Sequence, residues 1–226
     1  MEKYVIKERT IEETWRTAMW HCVRHGSGYR VERGSYVGQL RHQLPYALVI
    51  VQEPWVRPLA PRMPEGTGFP PPTDEDSIGQ YFARYIMSEE SSEGQEYTYG
   101  ESIAPNIDFL VEILNSSSGN TNQAAINIGG AGTVELENPP CLRIISFKVV
   151  EGKLQLSVFF RSWDLFAGMP ENLGGLQLLK EYVLENLHFS VSDGPIIAFS
   201  DGLHVYEQYF PLVNVLCVDK LNIEEA

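Results

Sequence analysis

Three groups of residues in this chain have the types and spacing to do chemistry. The first is Cys141, in the run NPPCLRIISF, directly after two prolines and ahead of an alternating β-branched stretch. A thiol there is a small buried hydrophobe, a metal ligand or a nucleophile. The second is the pair His204 and Tyr206, two residues apart in GPIIAFSDGLHVYEQY and so on one face of any strand. The third is HCVRH, with His21 and His25 one helical turn apart around Cys22. That spacing suits zinc, but no second Cys/His pair complements it, and a helix C-terminus favours histidine anyway. No metal site is expected. NIGGAGT is glycine-rich but lacks the Gly-Lys-Ser/Thr of a phosphate loop, so it reads as a turn.

The hairpin around Cys141 bears on its role. Two alternating runs, CLRIISFKVV and KLQLSVFFRS, flank Glu151-Gly152, which is a hairpin signal. With those two as the turn, Cys141 falls opposite Ser162 and Leu142 opposite Arg161. One bulge brings Cys141 level with Arg161. In both registers the thiol lies beside an Arg-Ser pair, and a neighbouring cation favours the thiolate.

The elements that must position these groups follow from pattern. Thr10 to His25 reads as a helix, with capping-box spacing between Thr10 and Glu13 and an end at Gly26 and Gly28. LPYALVIVQ reads as a buried strand. The stretch 54–73 is loop, DEDSIGQYFARYIMS and IAPNIDFLVEILNSS are helices, and ESSEGQE is a solvated connection. AAINI starts a short strand, GGLQLLKEYVLENL is an amphipathic helix, and GPIIAFSDGLHVYEQY reads as one strand.

The 226 residues are enough for one well-buried domain, and no linker divides them. A net charge of −13 argues against a nucleic-acid partner, whose phosphates need clustered cations. Arg24, Arg30, Arg33, Arg41, Arg57 and Arg62 nevertheless crowd one early stretch, which leaves room for a local anion site. Three widely spaced cysteines make no disulfide framework. With no apolar run of membrane-span length and no signal-type start, a soluble cytoplasmic protein with no membrane partner is expected.

Taken together, NPPC at 138–141, FRSWDLFAGMPEN at 160–172 and DGLHVY at 201–206 resemble the thymidylate synthase family, most of all its short archaeal branch. VERGSY at 31–36 looks like that family's arginine-containing phosphate loop, and YTYGE at 97–101 like its Tyr-Gly segment. The resemblance implies an α+β fold with one twisted, largely antiparallel sheet. Helices would cover one face, and the other would lie at a homodimer interface. It also implies methylation of dUMP to dTMP, with 5,10-methylenetetrahydrofolate or a related reduced pterin as cosubstrate and no metal.

The residues divide accordingly. The resemblance implies Cys141 as the nucleophile that adds to uracil C6, with Tyr99 assisting proton removal from C5. Arg33, Arg161 and Ser162 would hold the 5′-phosphate, since guanidinium pairs bidentately with phosphate. Asn172 would read the base edge, His204 and Tyr206 the sugar hydroxyl, and Asp164 with Gly168 the folate. Departures stand beside these matches. Thr121 and Asn122 occupy the place of the family's cross-subunit arginines. Leu142, Phe160 and Glu171 replace a histidine, a glutamine and an aromatic, and KLNIEEA does not resemble the folate-closing tail. Glu53, in VQEPW, is the residue considered for the catalytic glutamate. A pyrimidine-nucleotide hydroxymethylase and a non-catalytic nucleotide-binding homologue are the alternatives.

Overall fold

The computed structural model describes residues 2–34, 36–64, 68–91 and 96–217. Ser35 of VERGSY, most of the ESSEGQE connection and the whole KLNIEEA tail lie outside them. In chain order the strands and helices begin with β1 (Val5–Glu8), α1 (Ile11–His25), β2 (Ser27–Arg30), β3 (Leu40–Leu44) and β4 (Ala47–Val51). Next come α2 (Glu75–Tyr81), a π-helical turn (Phe82–Ile86), α3 (Gly100–Ser116) and β5 (Ala125–Asn127). The hairpin β6 (Leu142–Val150) and β7 (Lys153–Phe160) leads to the short β8 (Trp163–Asp164). Last are α4 (Gly168–Glu185), β9 (Ser192–Ser200), β10 (Leu203–Tyr206) and α5 (Phe210–Leu216).

Helix α1 starts where its capping box predicts. Thr10 Oγ1 accepts from Glu13 N–H at 3.2 Å, and Glu13 Oε2 accepts from Thr10 N–H at 3.0 Å. The helix buries Ile11, Trp15, Ala18, Met19 and Cys22. From that face Trp15 Nε1 donates to the Leu165 carbonyl at 3.0 Å, tying down the chain just after β8.

The hairpin turns at Glu151 (φ 52°) and Gly152 (φ 72°), both left-handed, as a turn matching strand twist requires. Pairing runs from Val150 with Lys153 to Ile144 with Phe159, then shifts to Leu142 with Phe160. This is the bulged register of the two open on sequence. Arg161 N–H accordingly donates to the Cys141 carbonyl at 2.9 Å, level with the cysteine.

The expected α+β class holds and most strand pairings are antiparallel, but the strands form two mixed sheets rather than one. The larger has six strands in the order β1-β4-β9-β7-β6-β5, and the smaller has four, β2-β3-β10-β8. Strand β9 returns through α4 and so runs parallel to β7, as crossover connections do. The stretch read as one C-terminal strand is two, in different sheets. The break is Asp201-Gly202, where Gly202 adopts φ 146°, a conformation side chains disfavour. Strands β2 and β3 and helix α5 were not expected, and α4 begins at Gly168, a turn and a half ahead of GGLQLLKEYVLENL.

One connected cluster of buried side chains runs from α1 to α5. It covers the helix-facing side of the larger sheet. On the other side Leu48, Phe199, Phe159 and Ile144 line up across four strands by register. Phe199 and Ile144 there are 39% and 41% exposed. Among the described residues, no helix is long and apolar enough to cross a membrane.

Candidate active site

The ends of the β6–β7 hairpin, β3 and β10 and the loop after Val31 enclose a cavity of about 490 Å³. Its walls bring together Cys141, Arg161, Ser162 and Asp164 with His204 and Tyr206. Arg33 lines it as well, from the VERGSY loop. Tyr99, Gly168 and Asn172 do not line it; they stand behind the wall.

Cys141 is half-buried at the bulged end of β6. Arg161 reaches back along the strand, donating through Nε to the Pro140 carbonyl at 3.1 Å and through Nη2 to the Pro139 carbonyl. Nη2 also approaches Cys141 Sγ at 3.8 Å. The prolines thus supply two carbonyl acceptors that aim the guanidinium at the sulfur. The expected thiolate stabilisation is present but does not win. Burial pushes the Cys141 thiol above its ordinary range, and Arg161 and then Arg41 pull it back only in part.

Asp164 Oδ1 accepts from Phe166 N–H at 3.1 Å. Burial still raises its carboxyl to about 6, against the pull of the backbone N–H groups after it and of Arg41. At Gly168 an added Cβ would sit 3.3 Å from Asp164 Cβ and 3.6 Å from Asn172 Oδ1. Asn172 Oδ1 accepts from Trp163 Nε1–H at 2.9 Å, and Asn172 Nδ2 donates to Tyr81 Oη at 2.8 Å. Because an indole N–H only donates, it fixes which end of the amide is oxygen.

Burial pushes His204 down to about 3, and the nearby arginines add to that. Its Nδ1 lies 3.0 Å from the Gly202 carbonyl. The Tyr99 hydroxyl accepts from Leu142 N–H at 3.2 Å, bracing the backbone next to the cysteine. Tyr97 is the ring from that segment that lines the cavity. Glu53 pairs with Arg9 at 3.5 Å and is not in the cavity wall.

Sequence reasoning named Arg41 only as one of the early arginines, yet it lines the cavity from β3. The signal was a charged residue between Leu40 and Leu44, both buried, in a strand too short to recognise. Arg24 and Arg30, from the same early stretch of arginines, do not line the cavity. Arg24 stacks over Trp20, and Arg30 donates to the Gly38 carbonyl at 2.7 Å.

A family model described as thymidylate synthase matches residues 79–221, well over half of the chain and including the cysteine, the Arg-Ser pair and the His-x-Tyr strand. The chain belongs to the thymidylate synthase family. A Methanosarcina barkeri protein named "Putative thymidylate synthase" is 26% identical over 215 residues, covering 92% of each chain. A protein of the same name from Methanopyrus kandleri is 27% identical over 215 residues, covering 92% of this chain and 95% of its own. Among solved structures, thermostable thymidylate synthase A from Bacillus subtilis superposes with a TM-score of 0.66 at 14% identity. That match covers 92% of this chain and 83% of the other, and shows a shared fold. Within the thymidylate synthase fold, the Cys141 cavity is where hairpin end, β3 and β10 converge.

Proposed function

We propose that this protein converts dUMP to dTMP through a covalent Cys141 adduct. The observation that carries the reading is the one cavity that Cys141 lines together with three arginines, a serine and a histidine that burial keeps neutral. Methylenetetrahydrofolate would supply both the carbon and the hydride that turns it into a methyl group. Cys141 Sγ bonds to uracil C6, its electron pair moving the ring density onto C5, which then takes up the carbon. Loss of the C5 proton would expel the folate nitrogen and leave an exocyclic methylene, and hydride from the tetrahydrofolate would reduce that methylene as the Cys141–C6 bond breaks and the thiolate leaves. The product pair is dTMP and dihydrofolate, so electrons balance without a metal or an outside oxidant.

Arg33, Arg161 and Ser162 take the 5′-phosphate, and His204 and Tyr206 the sugar hydroxyl. Asn172, held by Trp163 and Tyr81, keeps one N–H and one lone pair for the base. Asp164 and Gly168 form the place for the pterin. The uncovered apolar row through Phe199 and Phe159 supports a homodimer through that face. A monomer at micromolar concentration by sedimentation would refute that part.

Tritium release from C5-labelled dUMP tests the chemistry. Release with a product heavier by one methylene group supports the synthase. Release with a hydroxymethyl product would replace it by the hydroxymethylase. No release with folate present would leave a nucleotide-binding homologue.

A further inference from the structure

Tyr206 and His204 lie on one face of β10, and each is held in one hydrogen-bonding sense by a protein partner. Arg41 Nη2 donates to the Tyr206 hydroxyl oxygen at 2.8 Å, and the guanidinium lies over the same ring, 4.7 Å from its centroid. Cross-strand pairing of Tyr206 with Arg41 sets that contact. A guanidinium has no acceptor, so the tyrosine cannot return its proton to Arg41. The hydroxyl is left to donate elsewhere.

His204 is held in the opposite sense. The Gly202 carbonyl only accepts, so the Nδ1 at 3.0 Å carries the proton and Nε2 is a bare acceptor. That Nε2 is buried with no partner. The two rings lie 4.8 Å apart and nearly perpendicular, and both line the cavity. A donor and an acceptor placed together are satisfied by one group that both accepts and donates, which is a hydroxyl.

We infer that Arg41 is a positioning residue that turns the Tyr206 hydroxyl into a fixed donor, so that Tyr206 and His204 together select a ligand bearing a free 3′-hydroxyl. This rests on the nucleotide reading above and adds to it the residue that sets the polarity. Arg41 Nε is buried with no hydrogen-bond partner, so the bond to Tyr206 is not shared with one from that nitrogen.

The test is calorimetric titration of three ligands: dUMP, deoxyuridine, and 2′,3′-dideoxyuridine 5′-monophosphate. Wild type should prefer dUMP to the dideoxy analogue by about tenfold or more, the scale of one buried hydroxyl contact. Arg41→Met should weaken dUMP and deoxyuridine by several-fold and leave the dideoxy analogue unchanged. Arg41→Lys, which keeps a donor, should recover part of the preference. In a Tyr206→Phe background, Arg41→Met should have no further effect on the preference.

Equal losses on dUMP and the dideoxy analogue, with none on deoxyuridine, would make Arg41 a phosphate ligand and overturn the inference. Equal losses on all three would make it merely structural, with the same result. If Arg41→Met does not fold, a retained full preference in Arg41→Lys with Tyr206→Phe neutral would overturn it too. Wild type binding none of the three would remove the nucleotide reading itself, which is a different failure.

Discussion

Two parts of this molecule gather cations, and they treat them differently. Under α4, Lys180 is fully buried and fully partnered. Its Nζ lies 2.8 Å from Asp193 Oδ1, donates to the Gly194 carbonyl, and stands 5.8 Å from the Trp55 ring. In the Cys141 cavity Arg33, Arg41 and Arg161 have no carboxylate ion-pair partner among the described residues. They bond to carbonyls and a phenol instead. A buried charge is expensive unless compensated. Lys180 is compensated by the fold. The cavity arginines are compensated in part: a bound anion would complete Arg33 and Arg161, while Arg41 rests on the Tyr206 phenol. Charge without counter-charge is what separates a site from a scaffold here.

The largest expected effects dissociate the two regions. Cys141→Ser should cut turnover by on the order of 10³ or more, since in the proposed reaction it removes the atom that bonds uracil C6. Its melting temperature should stay close to that of wild type, because one γ atom changes at a half-buried position. Turnover that stays near normal, by the tritium assay, would end the covalent reading. Lys180→Met should do the reverse. Removing one partner of a buried pair costs about 3 kcal/mol or more in unfavourable cases. Asp193 retains bonds from Gln177 Nε2 at 2.7 Å and Gly194 N–H at 2.8 Å, so the low end applies. For a chain of this size that is a drop of roughly 10 °C by calorimetry. Turnover per folded molecule should be unchanged. If Lys180→Met lowers turnover at full occupancy of the fold, the two regions are not separable.

What was legible in the sequence was local. Thr10 with Glu13, and Glu151-Gly152 between alternating runs, each specify structure within a few residues, and both appear as expected. The second sheet was not legible, because its strands are two to five residues long and its central pair, β3 with β10, joins residues as far apart in the chain as Arg41 and Tyr206. No period can be counted in so few positions. The gathering of Cys141 with Arg161 and Ser162 was legible because the hairpin register itself delivers it. The upward push on the Cys141 thiol was not, since burial is set by distant segments. Arg41 was hidden for the same reason. Its neighbour Tyr206 is adjacent in space only through the pairing of β3 with β10.

A middle-sized effect sharpens the cavity side. Asn172→Asp keeps an acceptor for Trp163 Nε1–H, and the Tyr81 hydroxyl can turn to donate to it, so the fold should tolerate the change. The residue loses the N–H that an amide offers a uracil carbonyl. A mismatched buried hydrogen bond costs about 1–3 kcal/mol, so relative preference for dUMP over dCMP should fall tenfold or more. Unchanged discrimination in competition assays would take Asn172 out of base reading.

The smallest expected effect is a pair of opposite slopes in stability against pH. His204 is pushed down to about 3 in the folded protein, from an ordinary value of 6.5. Between those values the unfolded chain binds the proton and the folded one does not, so stability falls as pH drops from 6.5 toward 3. Asp164 is raised to about 6 from 3.8. Between those values the folded protein holds the extra proton, so this group makes stability rise as pH drops from 6 toward 3.8. The two therefore oppose each other across the same cavity. His204→Gln should shrink the stability difference between pH 7 and pH 4, and Asp164→Asn should enlarge it, by urea denaturation at both values. Lys180 titrates well above this window, at about 8, so Lys180→Met should leave that difference unchanged. Slopes of the same sign for the two cavity variants would show that burial, which shifts both groups, acts on them differently in solution from what their surroundings dictate.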